Sequence, residues 1–185
     1  MLYLSFHAKL IYSLFLHLPL QALLYLGALC LFGYAISSCT RHRPFERLAK
    51  AIDDGDDRLV NSLLCEDAID LDRRDGDGLT PLLRAAHCGH YNILLALLKA
   101  GSKINDSDRH MRTVLMVASS GGHYNIVDLL LRRGARISAK DENGNTALIL
   151  AAQRGLIDVV KLLIENGSDI NWKNMNGLSS LNAGG

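Results

Sequence analysis

Thr80, Thr113, Thr146 and Ser179 lie 33 residues apart, and the residues around them recur in step. Glycines return at Gly89, Gly122 and Gly155, and again at Gly101, Gly134 and Gly167. Small pairs fall at Ala85/Ala86, Ala118/Ser119 and Ala151/Ala152. Leu82, Leu115, Leu148 and Leu181 each follow the hydroxyl residue by two, and Leu97/Leu98, Leu130/Leu131 and Leu163/Ile164 precede the second glycine. A fixed period of this length marks a supersecondary unit that cannot bury its apolar face alone, so neighbouring units must stack. The chain is therefore expected to form a short all-α solenoid.

One unit can be read from these columns. The threonine hydroxyl accepts from an early backbone N–H and caps a short helix. The leucine and the small pair give that helix a narrow, closely approachable face. The first glycine ends it in a left-handed conformation. Ile93, Leu94, Leu97 and Leu98 then repeat at helical spacing and define a second helix. The second glycine closes it, and a polar turn leads to the next threonine.

Gly78-Leu79-Thr80-Pro81-Leu82, Ala85-Ala86, Gly89-His90 and Leu97-Leu98-Lys99-Ala100-Gly101 together resemble the ankyrin repeat family. The stretch from Gly144 through Gly167 to Asn171 resembles it as well. The resemblance covers roughly residues 45 to 181. It implies helix–loop–helix units joined by hairpin-like fingers, stacked as an L-shaped array with a concave binding face. The units fall near 48–75, 76–108, 109–141 and 142–174, with a partial one over 175–185.

The departures from the family pattern carry their own expectations. Its usual histidine is replaced by Leu83, Met116, Ile149 and Asn182, which points to apolar contact in place of a hydrogen bond. Met111 stands where the finger glycine belongs and puts that finger's geometry in question. Leu48 to Asp72 lacks the threonine but keeps Gly55, Leu59, Val60, Leu63 and Leu64, as a degenerate capping unit would. Its run Asp53-Asp54-Gly55-Asp56-Asp57 suits a cap that faces water. The last unit has no second helix, so Val159, Val160, Leu162 and Leu163 are expected to be only partly covered. That end would then offer a surface for self-association. A truncated half-unit serving as the cap and a fragment of a longer protein are both open readings.

Residues 1–40 are a different object, followed by a basic linker over 41–47. Leu10 to Ser38 contains no formally charged residue and is long enough to span a bilayer as a helix. As a signal-anchor it would be followed by Arg41, Arg43, Arg47 and Lys50, with only Lys9 before it. That flank asymmetry favours a cytoplasmic repeat domain. Alternatively, Ile36-Ser37-Ser38-Cys39 resembles a lipoprotein processing site, with Cys39 lipidated and the repeats periplasmic or extracellular. The basic run after Cys39 opposes export.

Composition argues against several classes. All 19 acidic residues and 19 of the 20 Lys and Arg lie after residue 40, so the repeat region is formally neutral and bulk attraction to nucleic acid is not expected. Cys65 and Cys88 are too few for a disulfide framework. His87, Cys88 and His90 look like a metal cluster until His90 and His123 are seen to share one repeat column. Asp70, Asp72, Asp75 and Asp77 lack calcium-loop spacing. No phosphate loop, nucleophile elbow or zinc signature is present, so neither catalysis nor a cofactor is expected.

The function expected is protein–protein interaction by a membrane-tethered module. Mapped by register, the finger contacts are Asp108, Arg109, His110, Lys140, Asp141, Glu142 and Lys173. Those on the first helices are Arg84, His87, Gln153 and Arg154. The competing reading is an accessory or protective subunit of an enzyme system, exported as a lipoprotein.

Overall fold

The computed structural model describes residues 44–65 and 69–182, and one compact unit begins at Pro44. Cys39 and the apolar stretch 10–38 lie outside the described residues. Among the described residues no helix is long and apolar enough to cross a membrane.

Among the described residues, eight helices follow one another as four pairs. They are α1 (residues 44–53) with α2 (Asp57–Leu64), α3 (Pro81–Cys88) with α4 (Tyr91–Lys99), α5 (Val114–Gly121) with α6 (Tyr124–Arg132), and α7 (Ala147–Gln153) with α8 (Ile157–Glu165). No strand forms among the described residues, apart from one isolated antiparallel bridge between Ser107 and Thr113. Helix α1 already runs from residue 44, so residues 44–47 belong to the first unit and not to a linker. Phe45, inside that stretch, is buried.

The first helices α3, α5 and α7 begin as their threonine column requires. Thr80, Thr113 and Thr146 sit in extended backbone and accept from the N–H of Leu83, Met116 and Ile149 at 3.5, 3.4 and 3.5 Å. These bonds are long, so the fixed entry conformation contributes more than their electrostatics. Asp56 caps α2 more tightly, accepting from Leu59 N–H at 2.9 Å.

The first helices α3, α5 and α7 stack directly on one another, and the second helices form a looser row beside them. In α5 every residue from Val114 to Ser119 is buried. Leu83, Met116 and Ile149, which replace a polar residue in each unit, are at most 1% exposed. Leu83 and Met116 join the shared apolar core, as the substitution suggested, and Ile149 is buried as well.

A second link joins the units at the loops. Gly89 ends α3 in the left-handed region at φ 79°, and a Cβ there would run into the ring of His123 from the next unit. His90 covers Gly55 in the same manner, and Leu156 covers Gly122. The histidine column is thus a stacking column.

At the C-terminal end Val160 is half-buried, as expected, but Val159, Leu162 and Leu163 are buried, contrary to the expectation that they would be left half-covered. All three buried residues belong to the shared apolar core. The apolar side chains left open there are Ile157, Ile164, Met175 and Leu181. The half-unit closes on itself: Asn182 Oδ1 accepts from Ser179 N–H at 2.6 Å and from its hydroxyl at 3.0 Å.

Gly89→Ala should destabilise the fold by about 1 kcal/mol or more, because it strains a left-handed residue and displaces His123. Urea denaturation checks this, and an unchanged midpoint would refute the stacking role of the column.

Candidate protein-binding surface

Among the described residues, four hairpin fingers, built on Asp75, Asp108, Asp141 and Asn174, rise from the loops that precede α3, α5, α7 and the final half-unit. Each is closed by the same bond set. Asp108 N–H donates to Arg112 O and Met111 N–H to Asp108 O, at 3.0 and 3.1 Å. Asp108 Oδ1 takes the N–H groups of His110 and Arg112, both at 2.9 Å, and Oδ2 takes the Arg112 guanidinium. Asp141 holds Asn143 and Asn145 in the same way, and Asn174 holds Asn176 and Leu178.

These bonds place the expected contact residues in two groups. Asp108 and Asp141 are only 7% and 8% exposed and are spent inside their fingers. Their carboxylates build the surface from within and have no room to meet a partner. The signal lay in the sequence, since Asp75, Asp108, Asp141 and Asn174 share the 33-residue period that marked the histidines as structural.

Arg84 is also committed internally. Its guanidinium lies between Asp53 of α1, at 2.6 Å, and Asp75 of its own finger. Asp53, ahead of Asp75, holds Arg84 protonated well above the ordinary range. Burial works against the Asp75 carboxylate, but Arg84 and the N–H groups of Leu79 and Asp77 outweigh it and keep its pKa below the usual 3.8. The acidic run before α2 therefore does more than face water. Asp53 ties the first unit to the second through Arg84, and Asp57 does so by accepting from Asn92 Nδ2 at 2.9 Å.

The remaining residues do form an open row. Arg109, His110, Lys140, Glu142 and Lys173 are exposed along the fingers, and His87, Gln153 and Arg154 at the ends of α3 and α7. Neighbouring fingers are laced together. Arg109 donates to Gly76 O at 2.7 Å, and His110 Nδ1 meets Glu142 Oε1 at 2.7 Å. The Glu142 and Met175 N–H groups donate to His110 O and Asn143 O. Lys140 Nζ stands 3.2 Å from the centre of the Trp172 ring, a cation–π contact. Lys140–Trp172 and Asp53–Arg84 escaped the register mapping because each joins different columns.

Met111 is the unusual member of the row. The corresponding positions are Gly78, Gly144 and Gly177, all at positive φ, and Met111 takes the same turn at φ 60°. The finger expected to be defective thus keeps its geometry and holds the strain in one residue. Among the described residues Met111 is the only non-glycine at positive φ, and its side chain is 58% exposed.

Among the described residues no group of three or more His, Cys, Asp or Glu is placed to hold a metal. Cys65 and Cys88 are free thiols. Burial and then the nearby Asp53 carboxylate push the Cys88 thiol up, away from thiolate reactivity.

A family model for ankyrin repeats (three copies) matches residues 30–108, 48–141 and 108–174. The chain belongs to the ankyrin repeat family. Ankyrin repeats generally mediate protein–protein interaction. No curated protein matches the chain at a significant level.

The Arg84 bridge should show in the pH dependence of stability. Arg84→Gln leaves Asp75 to its backbone donors and should cost about 1 kcal/mol or more at neutral pH. Because the folded Asp75 pKa is depressed, the bridge contributes above pH 3.8 and is lost as pH falls through the folded value. The gap between wild type and variant should therefore narrow in acid. A gap that widens would contradict the assignment.

Proposed function

We propose that this protein is a non-catalytic binding module whose partner, a protein, lies along the finger row and the exposed ends of α3 and α7. The observation that carries this reading is Met111. A left-handed methionine costs on the order of 1 kcal/mol relative to the glycine its column otherwise holds. Its apolar side chain recovers little of that by packing, since most of it stands in solvent. Strain retained at an exposed position points to a use for the side chain outside the fold. Arg109, His110, Lys140, Glu142 and Lys173 surround it on the same row, with His87, Gln153 and Arg154 as the helical part of the surface. Asp108, Asp141 and Arg84 support that surface from beneath.

The module is proposed to be tethered to a membrane through residues 10–38, with the repeats on the cytoplasmic side. The uncharged stretch and the basic flank after it support this reading. An intact mass that retains residues 1–38 is the expected result. A mature chain beginning at a lipidated Cys39 would establish the exported alternative instead.

Met111→Gly separates a binding role from a folding one. It should raise stability by up to about 1 kcal/mol in urea denaturation while weakening a purified partner by roughly fivefold or more. Joint charge reversal of Arg109, Lys140 and Arg154 should weaken the same complex. Unchanged affinity in both variants would sink the assignment of this surface.

A further inference from the structure

Three Asn–Gly steps occur in the repeats: Asn143–Gly144, Asn166–Gly167 and Asn176–Gly177. The pair is chemically labile because glycine offers no Cβ to hinder its nitrogen. The Gly N, on losing its proton, attacks the Asn Cγ, and an N–Cγ bond forms as the Cγ–Nδ2 bond breaks. Ammonia leaves and a cyclic imide remains. Water then opens either imide bond, giving aspartate or isoaspartate with no oxidant or reductant involved. For this the Gly N–H must leave its hydrogen bond and the Asn carboxamide must swing over the backbone.

The fold restrains the three steps unequally. In each, the Gly N–H donates to a backbone carbonyl: Gly144 to Asp141, Gly167 to Ile164 and Gly177 to Asn174, at 3.0, 2.9 and 3.0 Å. Asn143–Gly144 is also clamped from the next finger, since Asn143 O accepts from Met175 N–H and Gly144 O from Trp172 Nε1, at 3.0 and 2.9 Å. At Asn166 the reacting carboxamide is itself tied, Nδ2 donating to Leu162 O at 2.8 Å. Asn176–Gly177 has neither restraint. Both residues are exposed, nothing lies within 4 Å of a Cβ placed on Gly177, and among the described residues no further finger stands above it.

We propose that Asn176 is a site of spontaneous deamidation and isoaspartate formation, and that stacking protects Asn143 and Asn166. Conversion adds a negative charge to the finger that carries Lys173 and Met175. In the isoaspartate form it also inserts a methylene into the backbone that Asn174 Oδ1 holds closed. The last finger then loses its hydrogen-bond register while the preceding fingers keep theirs.

Each additional hydrogen bond is worth about 1 kcal/mol net, so one restraint should slow the reaction roughly fivefold and two roughly 30-fold. The full-length chain, incubated at neutral pH, digested and mapped by mass spectrometry with isoaspartate detection, reads the three rates separately. Asn176 is expected to convert first, Asn166 roughly fivefold more slowly and Asn143 slowest. The same chain held unfolded in denaturant should react at all three steps at similar rates. The proposal is overturned if Asn143 or Asn166 reacts as fast as Asn176 in the folded chain. It is equally overturned if Asn176 stays intact, or if the same ranking persists in denaturant.

Discussion

The architecture rests on one constraint: the first helix of an interior unit has almost no surface of its own to show to water. From Val114 to Ser119 all of α5 is buried, with α3 on one side and α7 on the other. A helix of eight residues is too short to be stable alone, so its existence depends on its neighbours. Each fully buried Leu, Val or Met contributes about 1.5–3 kcal/mol of transfer free energy. Leu115 and Met116 of α5, with Leu82 and Leu83 of α3 and Leu148 and Ile149 of α7, are at most 1% exposed. The dominant stabilising term therefore lies in the stacking of units.

The loops repeat this logic with polar groups. Each finger uses one Asp or Asn to satisfy backbone N–H groups that no helix or sheet can reach. With each turn closed from within, the side chains around its tip are left to lace neighbouring fingers together and to face solvent. The row of Arg109, His110, Lys140 and Glu142 exists because Asp108 and Asp141 hold the turns beneath it. Met111 shows how firmly the turn is determined: the finger keeps its left-handed step even where the residue is not glycine. The histidine column adds a third link, with His90 and His123 filling the space that Gly55 and Gly89 leave.

Much of the fold was legible in the sequence because stacking imposes identical demands on every unit. Thr80, Thr113 and Thr146 announced their helices, and Leu83 and Met116 announced an apolar link. The start of the first unit was not legible, since Pro44 and Phe45 lie ahead of any repeated column. The candidate surface was legible only in part. Register says which positions reach the fingers, but it does not say whether a carboxylate there turns outward or back onto its own backbone. Asp108 and Asp141 turn back. Contacts between different columns, such as Arg84 with Asp53 or Lys140 with Trp172, have no periodic trace and need coordinates.

The most direct test of this account is native-state hydrogen exchange on a Leu115→Ala variant, which removes a fully buried contact from the central unit at a cost of about 2–5 kcal/mol. If stacking carries the stability, amide protection in α3 and α7 should fall by nearly as much as in α5. Loss of protection confined to α5 and α6, with the flanking units unchanged, would contradict it.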